Sequence, residues 1–361
     1  FLIRNKKLPQ FLTKQNSQNF SYISDLYYAD IYYENGSFSS WDSNNNSVFG
    51  EMNDFKIIDK IDLYPDIYIG RVLCNNESEV EIIVNKIINY EKNVHDKSWF
   101  RNLIIIGGDT YPYFIREIQV AKSMSEILNR NVRLAWEGEY AGKIIESYMD
   151  DFNITKIYAS NYFGIINKKL TIENINQAIN DGAGFLLISG HGHPTLFATY
   201  SPFNFNKLMP SPSGFSVDDI RSLSNSYKLP VAVISACSTA DFDTNPSPFA
   251  WEFLKNKNGG TIASFACTTI GNLLPTTLCM DTLNGHLIKN IFSIYSEGID
   301  IVGEIWGETI KRYLDDLDDG EVDLISNAFY DLTGDPIEWD HHLNVEQWIL
   351  LGDPSLKIGG V

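Results

Sequence analysis

The chain has 361 residues, 44% of them hydrophobic and 13% aromatic, which is enough to bury one large core or two modest ones and too apolar for global disorder. Its formal net charge of −18 at pH 7 argues against nucleic acid as a partner, because neutralising phosphates needs a basic face, and leaves room for cationic ligands or calcium. It lacks a run of the roughly 18 apolar residues that a membrane-spanning helix needs.

Residues 1–60 are rich in Asn, Ser, Asp and Tyr and read as loops with short segments. The opening stretch, FLIRNKKLPQ, has neither an initiating Met nor a signal-peptide pattern, so the expectation is a unit shortened at its start. DIYIGRVL (66–73) reads as a short strand. NESEVEIIVNKIINYEKNV (76–94) places Val80, Ile83, Val84, Ile87 and Ile88 at helical spacing and predicts an amphipathic helix. HDKSWF (95–100) reads as a linker, which sets a boundary between a smaller N-terminal α/β subdomain (1–96) and a larger one (97–361).

Beyond the linker the pattern alternates. Apolar strands are predicted at 102–109, 156–160, 184–190, 230–236 and 259–266. Helices are predicted at 115–128, 171–181 (Thr171 as its cap), 247–256 and 300–315. Strands apolar on both faces and separated by helices define an α/β fold with a mostly parallel sheet sandwiched by helices.

In such sheets ligands sit at the carboxyl ends of the strands. Three of those ends carry reactive groups: Asp109 in IIGGDTY, His191 in LLISGHGHP, and Cys237 in VAVISACSTADFD. A thiolate is a nucleophile, and an adjacent imidazole can take its proton. Glycines flank His191, so the backbone can turn sharply, and the N–H groups of Gly192 and Cys237 are candidates to face an oxyanion. Taken singly, a cysteine after a buried strand is more often an inert small hydrophobe, and a histidine there a structural residue. The joint pattern points to acyl transfer. His191 and His193 could also pair on a metal, but no further ligand cluster and no C-x-x-C pair accompanies them, and four cysteines are too few for a disulfide scaffold. Cys74 and Cys267 read as structural, Trp251, Trp306 and Trp348 as core, and His286, His341 and His342 as surface or packing residues.

SGHGHP followed by ISACSTADF resembles the His-Gly and Ala-Cys signatures of caspase-like cysteine peptidases, and within them the gingipain family. DLYPDIYIGRVLCNNESEVEIIVNKIINYEKN (62–93), NGGTIASFACTTIG (258–271) and EQWILLGDPSL (346–356) extend the likeness in the same order over most of 25–360. The resemblance implies a caspase-like fold and a cysteine endopeptidase acting on proteins or peptides, extracellular or at the cell surface. It makes Cys237 the nucleophile, His191 the general acid/base, Gly192 and Cys237 the oxyanion donors, and Asp109 the acid that orients His191. It also implies cleavage after basic residues, with Glu117 the acid that holds them. The segment PTLFATYSPFNFNKLMPSPSG (194–214) reads as an insertion relative to that family. A thiol transpeptidase or ligase, or a peptide-binding scaffold that does not cut, would use the same residues.

A second candidate site lies in WDSNNNSVFGE (41–51). Asp42, Asn44 and Asn46 alternate, and Glu51 follows, as oxygen ligands do on a calcium loop. The loop lacks the glycine at position six and the acid at twelve of an EF-hand. Calcium is expected here as a structural ion, with Asp62 and Asp66 as nearby acidic candidates.

Overall fold

The computed structural model describes residues 22–360 except 54–55, 95–96, 112–113, 162–166, 203 and 334–337, together with a short pair of strands at 11–12 and 19–20. Before residue 102 the described chain forms helix α1 (Leu26–Ala29), a two-stranded ladder of Met52–Asn53 with Lys56–Ile57, and helix α2 (Glu77–Asn93). Asn76 caps α2 by accepting the Glu79 N–H at 3.0 Å.

The rest alternates as the apolar runs require. In order come β1 (Asn102–Gly107), α3 (Phe114–Leu128), α4 (Glu137–Glu146), β2 (Asn153–Tyr158), β3 (Lys168–Lys169), α5 (Ile172–Asp181) and β4 (Phe185–Ser189). A set of short strands follows: β5 (His191–His193), β6 (Leu196–Ser201), β7 (Asn204–Met209) and β8 (Phe215–Ser216). Then come α6 (Val217–Arg221), β9 (Val231–Ser235), α7 (Phe249–Lys255), β10 (Ala263–Cys267), α8 (Leu283–Ser296), α9 (Val302–Asp318), α10 (Glu321–Thr333), α11 (Glu338–Gln347) and β11 (Trp348–Leu351).

Seven strands make the central sheet in the order β11-β10-β9-β4-β1-β2-β3, parallel except for β11. Its residues alternate between two apolar clusters, the period-two signature of a strand covered on both sides. Leu103, Ile105, Phe185, Leu187, Val231, Val233 and Phe265 face α3, α4, α8 and α9. Ile104, Ile106, Leu186, Ile188, Ala232, Ile234 and Ala266 face α5, α6 and α7. Truncating one of these leucines or isoleucines to Ala costs about 2–5 kcal/mol. Trp251, Trp306 and Trp348 are all buried, as expected of core residues.

All seven sheet strands come from the 97–361 segment. Of the N-terminal segment's buried side chains, Leu26, Trp41, Leu63 and Tyr90 join one face of the same core and Ile83 the other. Two expectations there differ from what is found. The 66–73 run is not a strand: Arg71 alone bridges Leu351, donating to the Leu350 carbonyl at 2.8 Å, while its guanidinium pairs with the buried Asp25. An apolar run beside a sheet edge need not join the ladder. Helix α2 does form, but it turns Ile83 and Tyr90 inward and leaves Val80, Val84 and Ile88 exposed. Lys86 on the same helix donates to the carbonyls of Phe253, in the last turn of α7, and of Thr261, at 3.3 and 3.2 Å, which ties α2 to the end of α7.

The 194–214 segment is not a plain loop. β6 pairs with β5, β7 and β8, all antiparallel, and Tyr200 bridges Asp109 at the end of β1. This small sheet therefore rims the carboxyl edge of the central one.

Burial raises the carboxyl groups of Glu137 and Glu346 to about 8 and those of Asp30 and Glu139 to about 7. It lowers His286, His341 and His342 to about 4. Between pH ~4.5 and ~6.5 the folded chain holds extra carboxyl protons while the unfolded chain holds extra imidazole protons, so the two effects oppose. Above pH ~6.5 the histidines are neutral in both states; the four raised carboxyls then make stability fall as pH rises toward ~8, opposed in part by Lys86, which burial lowers to about 7 so that the unfolded chain holds its extra proton. Thermal melts from pH 5 to 9 should show the highest Tm slightly below neutrality; a Tm that climbs from pH 6.5 to 8 contradicts this.

Candidate active site

Strands β4 and β9 are parallel neighbours, paired from Phe185 with Val231 to Ser189 with Ser235. Both end at the paired serines, and Gly190 N–H donates to the Ser235 carbonyl at 3.0 Å. His191 and Cys237 are each two residues past that last pair. Gly192 lies so close to the 236–237 peptide that a Cβ would stand 2.3 Å from the Cys237 oxygen and 2.7 Å from its nitrogen. Only glycine fits there, and its backbone is brought beside that of Cys237.

Cys237 is half-buried, and Ser238 after it has a left-handed backbone with φ 56°. Such a conformation is uncommon outside glycine and marks a turn held by its surroundings. The ties are Ser238 N–H to the Thr269 carbonyl at 2.8 Å and Ala240 N–H to the Cys267 carbonyl at 2.8 Å, both past or at the end of β10. The Cys237 sulfur sits 3.4 Å from the Gly271 nitrogen and 3.5 Å from its carbonyl oxygen. Burial pushes the thiol up, and the Gly271 N–H opposes this.

The His191 ring packs edge-on to Tyr200 at 5.6 Å, and its Nε2 lies 2.9 Å from the Thr110 carbonyl oxygen. A carbonyl can only accept, so Nε2 carries the hydrogen and Nδ1 holds the lone pair. Burial lowers the imidazole pKa, while the bond to Thr110 works the other way. At neutral pH the ring is therefore a neutral base with a defined tautomer.

Asp109 does not supply that bond. Its carboxylate accepts the Tyr111 N–H at 3.0 Å, and its backbone is locked to Tyr200 at 3.0 and 2.9 Å. Successive carbonyls of an extended chain face opposite ways, so with the Asp109 carbonyl turned to Tyr200 it is the Thr110 carbonyl that meets the histidine. Burial raises Asp109 to about 6. His193 is exposed and bonds Thr195 Oγ1 at 2.9 Å, so the two histidines have separate partners. Glu117 lies in α3, but its side chain is outside the described residues.

Three contributors are invisible to motif reading. Thr110 meets the histidine through its backbone carbonyl, Gly271 meets the sulfur through its N–H and carbonyl, and Glu137 lies behind Thr110: its Oε2 accepts the Thr110 N–H and hydroxyl at 3.0 and 2.8 Å. Residue type signals none of these roles, although a glycine soon after a strand end is a weak hint for Gly271.

In the 42–51 loop the expected residues do come together. Asn44 and Asn46 both reach Glu51 Oε2, at 2.9 and 2.6 Å, and Asp42 accepts the N–H groups of Asn46 and Ser47 at 2.9 and 3.0 Å. The donor set is all oxygen-bearing, the kind calcium takes. The two amides present nitrogen rather than oxygen to Glu51, however, and only two of the four side chains are carboxylates. Among the described residues no group of three or more His, Cys, Asp or Glu is gathered in a way that could hold a metal.

A mostly parallel α/β sheet in which neighbouring strands β4 and β9 lead into His191 and Cys237, with the imidazole tautomer fixed, defines a class by its fold: the caspase-like one. The family model described as peptidase family C25 matches residues 3–359, and the chain belongs to that family. It is 24% identical over 303 residues to gingipain R2 of Porphyromonas gingivalis, covering 82% of this chain and 33% of that protein. It is 27% identical over 220 residues to an uncharacterized protein of Archaeoglobus fulgidus, covering 56% of this chain and 46% of that one. Among solved structures it matches the Arg-specific cysteine proteinase gingipain R with a TM-score of 0.53 at 19% identity, over 86% of this chain and 60% of that one. The chain thus spans about a third of the length of gingipain R2. No helix among the described residues is long and apolar enough to cross a membrane.

Proposed function

We propose that this protein is a cysteine endopeptidase that cleaves peptide bonds through an acyl-enzyme on Cys237. The observation that carries the reading is the His191 Nε2 bond to the Thr110 carbonyl, which leaves Nδ1 as the base, with Cys237 and His191 each two residues past the last register pair of β4 and β9. His191 takes the thiol proton, and the sulfur attacks the scissile carbonyl carbon to form a C–S bond. The Gly192 and Cys237 N–H groups stabilise the resulting oxyanion. The imidazolium then protonates the leaving amine as the C–N bond breaks, and a thioester remains. Water, deprotonated by His191, attacks the thioester, releasing the carboxylic acid and the thiol.

Cleavage after basic residues is the finer part of the reading. It rests on the family resemblance and on the printed specificity of gingipain R, with the Glu117 carboxylate holding the substrate cation. The same resemblance supports an extracellular or cell-surface setting. Calcium at Asp42, Asn44, Asn46 and Glu51 belongs to it as well, with the amide oxygens turned toward Glu51.

A peptide-library digest read by mass spectrometry tests the reaction. The unmodified chain should cut after Arg or Lys, and Cys237→Ala should abolish cutting while keeping the Tm. Since burial holds His191 below the usual imidazole value, kcat/KM should stay level through neutrality and fall only below pH ~6.5. Transfer of the acyl group to an added amine in place of water would make the enzyme a transpeptidase, and absence of any cleavage would leave a binding scaffold. For the loop, EDTA should lower Tm and calcium restore it; identical melts with no bound metal would remove the ion.

A further inference from the structure

Helix α4 begins on Glu137, a carboxyl with 0% exposure beside the catalytic edge. Its position is set by backbone packing rather than by chance contact. Gly138 N–H donates to the Gly108 carbonyl at 3.1 Å, and a Cβ on Gly138 would stand 2.7 Å from the Ser189 oxygen. The start of α4 is therefore wedged between the ends of β1 and β4, directly behind the histidine. There one oxygen, Oε2, takes both Thr110 donors, while Oε1 is buried without a partner. Among the described residues no cation forms an ion pair with this carboxyl; the titratable groups that act with it are Asp109 at the end of β1 and the Cys279 thiol, neither of them positive. A buried acid with an unused oxygen and no counter-ion is a poor stabiliser, since an apolar residue of the same volume would avoid the desolvation cost.

We infer that Glu137 is a positioning residue for the general base: it grips both donors of Thr110 so that the Thr110 carbonyl holds His191 Nε2–H and fixes Nδ1 as the proton acceptor. The inference rests on the cysteine peptidase reading of the same site. The chain of bonds is short and complete: Glu137 Oε2 to Thr110 N–H and Oγ–H, then Thr110 C=O to His191 Nε2–H at 2.9 Å. Hydrogen bonds in series polarise one another, so a well-held Thr110 peptide is also a stronger acceptor for the imidazole. Burial raises Glu137 to about 8, so at neutral pH it is a neutral acid with its proton on the free Oε1. What it must supply is an acceptor oxygen of the right shape, and a glutamine supplies the same.

The test compares Glu137→Gln, Glu137→Leu and Thr110→Val in the full chain. It reads kcat and KM on a fluorogenic peptide, Tm, and the pH dependence of Cys237 alkylation by chloroacetamide. Glu137→Leu should lose about tenfold to a hundredfold in kcat with KM within about twofold, a part of the total worth of a general base. Its alkylation profile should lose the histidine-dependent limb that His191→Ala also removes. Glu137→Gln should restore both near neutral pH, and Thr110→Val, which removes one donor, should fall between. If Glu137→Leu does not fold, the Gln and Val variants carry the test. Retained kcat in Glu137→Leu overturns the inference, and so does a Gln variant as impaired as Leu with losses that track Tm. If the unmodified chain alkylates with a His191-dependent limb but cuts no peptide, the peptidase reading fails alone, and the alkylation profiles still decide the role of Glu137.

Discussion

Five residue pairs hold β4 against β9, from Phe185 with Val231 to Ser189 with Ser235, and everything at the site follows from where that pairing stops. A one-residue slip would flip every side chain of one strand to the other face and put Leu186 and Ile188 among the wrong helices. All ten residues are buried, so the register is fixed by two apolar layers at once. Because both strands end at one level, the histidine and the cysteine leave the sheet together. Gly192 then allows the closest approach of the two backbones that their atoms permit.

The surroundings of the pair are built from backbone more than from side chains. The Thr110 carbonyl fixes the imidazole tautomer, Gly271 brackets the sulfur, and the 238–240 turn is pinned to the end of β10. Such groups cost no side-chain entropy to order and do not titrate, so the geometry holds across a wide pH range. The resting electrostatics favour a neutral thiol beside a neutral imidazole: burial raises one and lowers the other. In the proposed reaction, proton transfer would then accompany the attack step in place of a standing ion pair.

The centre of the sheet was legible because β1, β4, β9 and β10 are apolar on both faces, whereas the edge strand β3 is two exposed lysines with no apolar run to mark it. The runs around Ile104, Leu187 and Val233 can be nothing but covered strands, and His191 and Cys237 stand out because polar chemistry ends an apolar run. The rest hid for physical reasons. Helix α8 is buried nearly all round, Asn284, His286 and Asn290 included, so it has no polar face to reveal its period. Glu137 looks like a solvated first-turn acid favoured by the helix dipole. The orienting role assigned to Asp109 falls one residue on, to a carbonyl that any amino acid would carry. The strand expected at 66–73 has the right residues but meets its neighbour β11 at a single point, and pairing is a property of two segments rather than one.

In the proposed function Cys237 and His191 form one reactive unit set by the β4–β9 register. Intact-mass analysis after brief exposure to a peptidyl chloromethyl ketone, followed by peptide mapping, tests this directly. The account predicts a single adduct on Cys237, with Cys74, Cys267 and Cys279 unmodified, and its loss in His191→Ala. An adduct on another cysteine, or labelling of Cys237 at the same rate without His191, would contradict it.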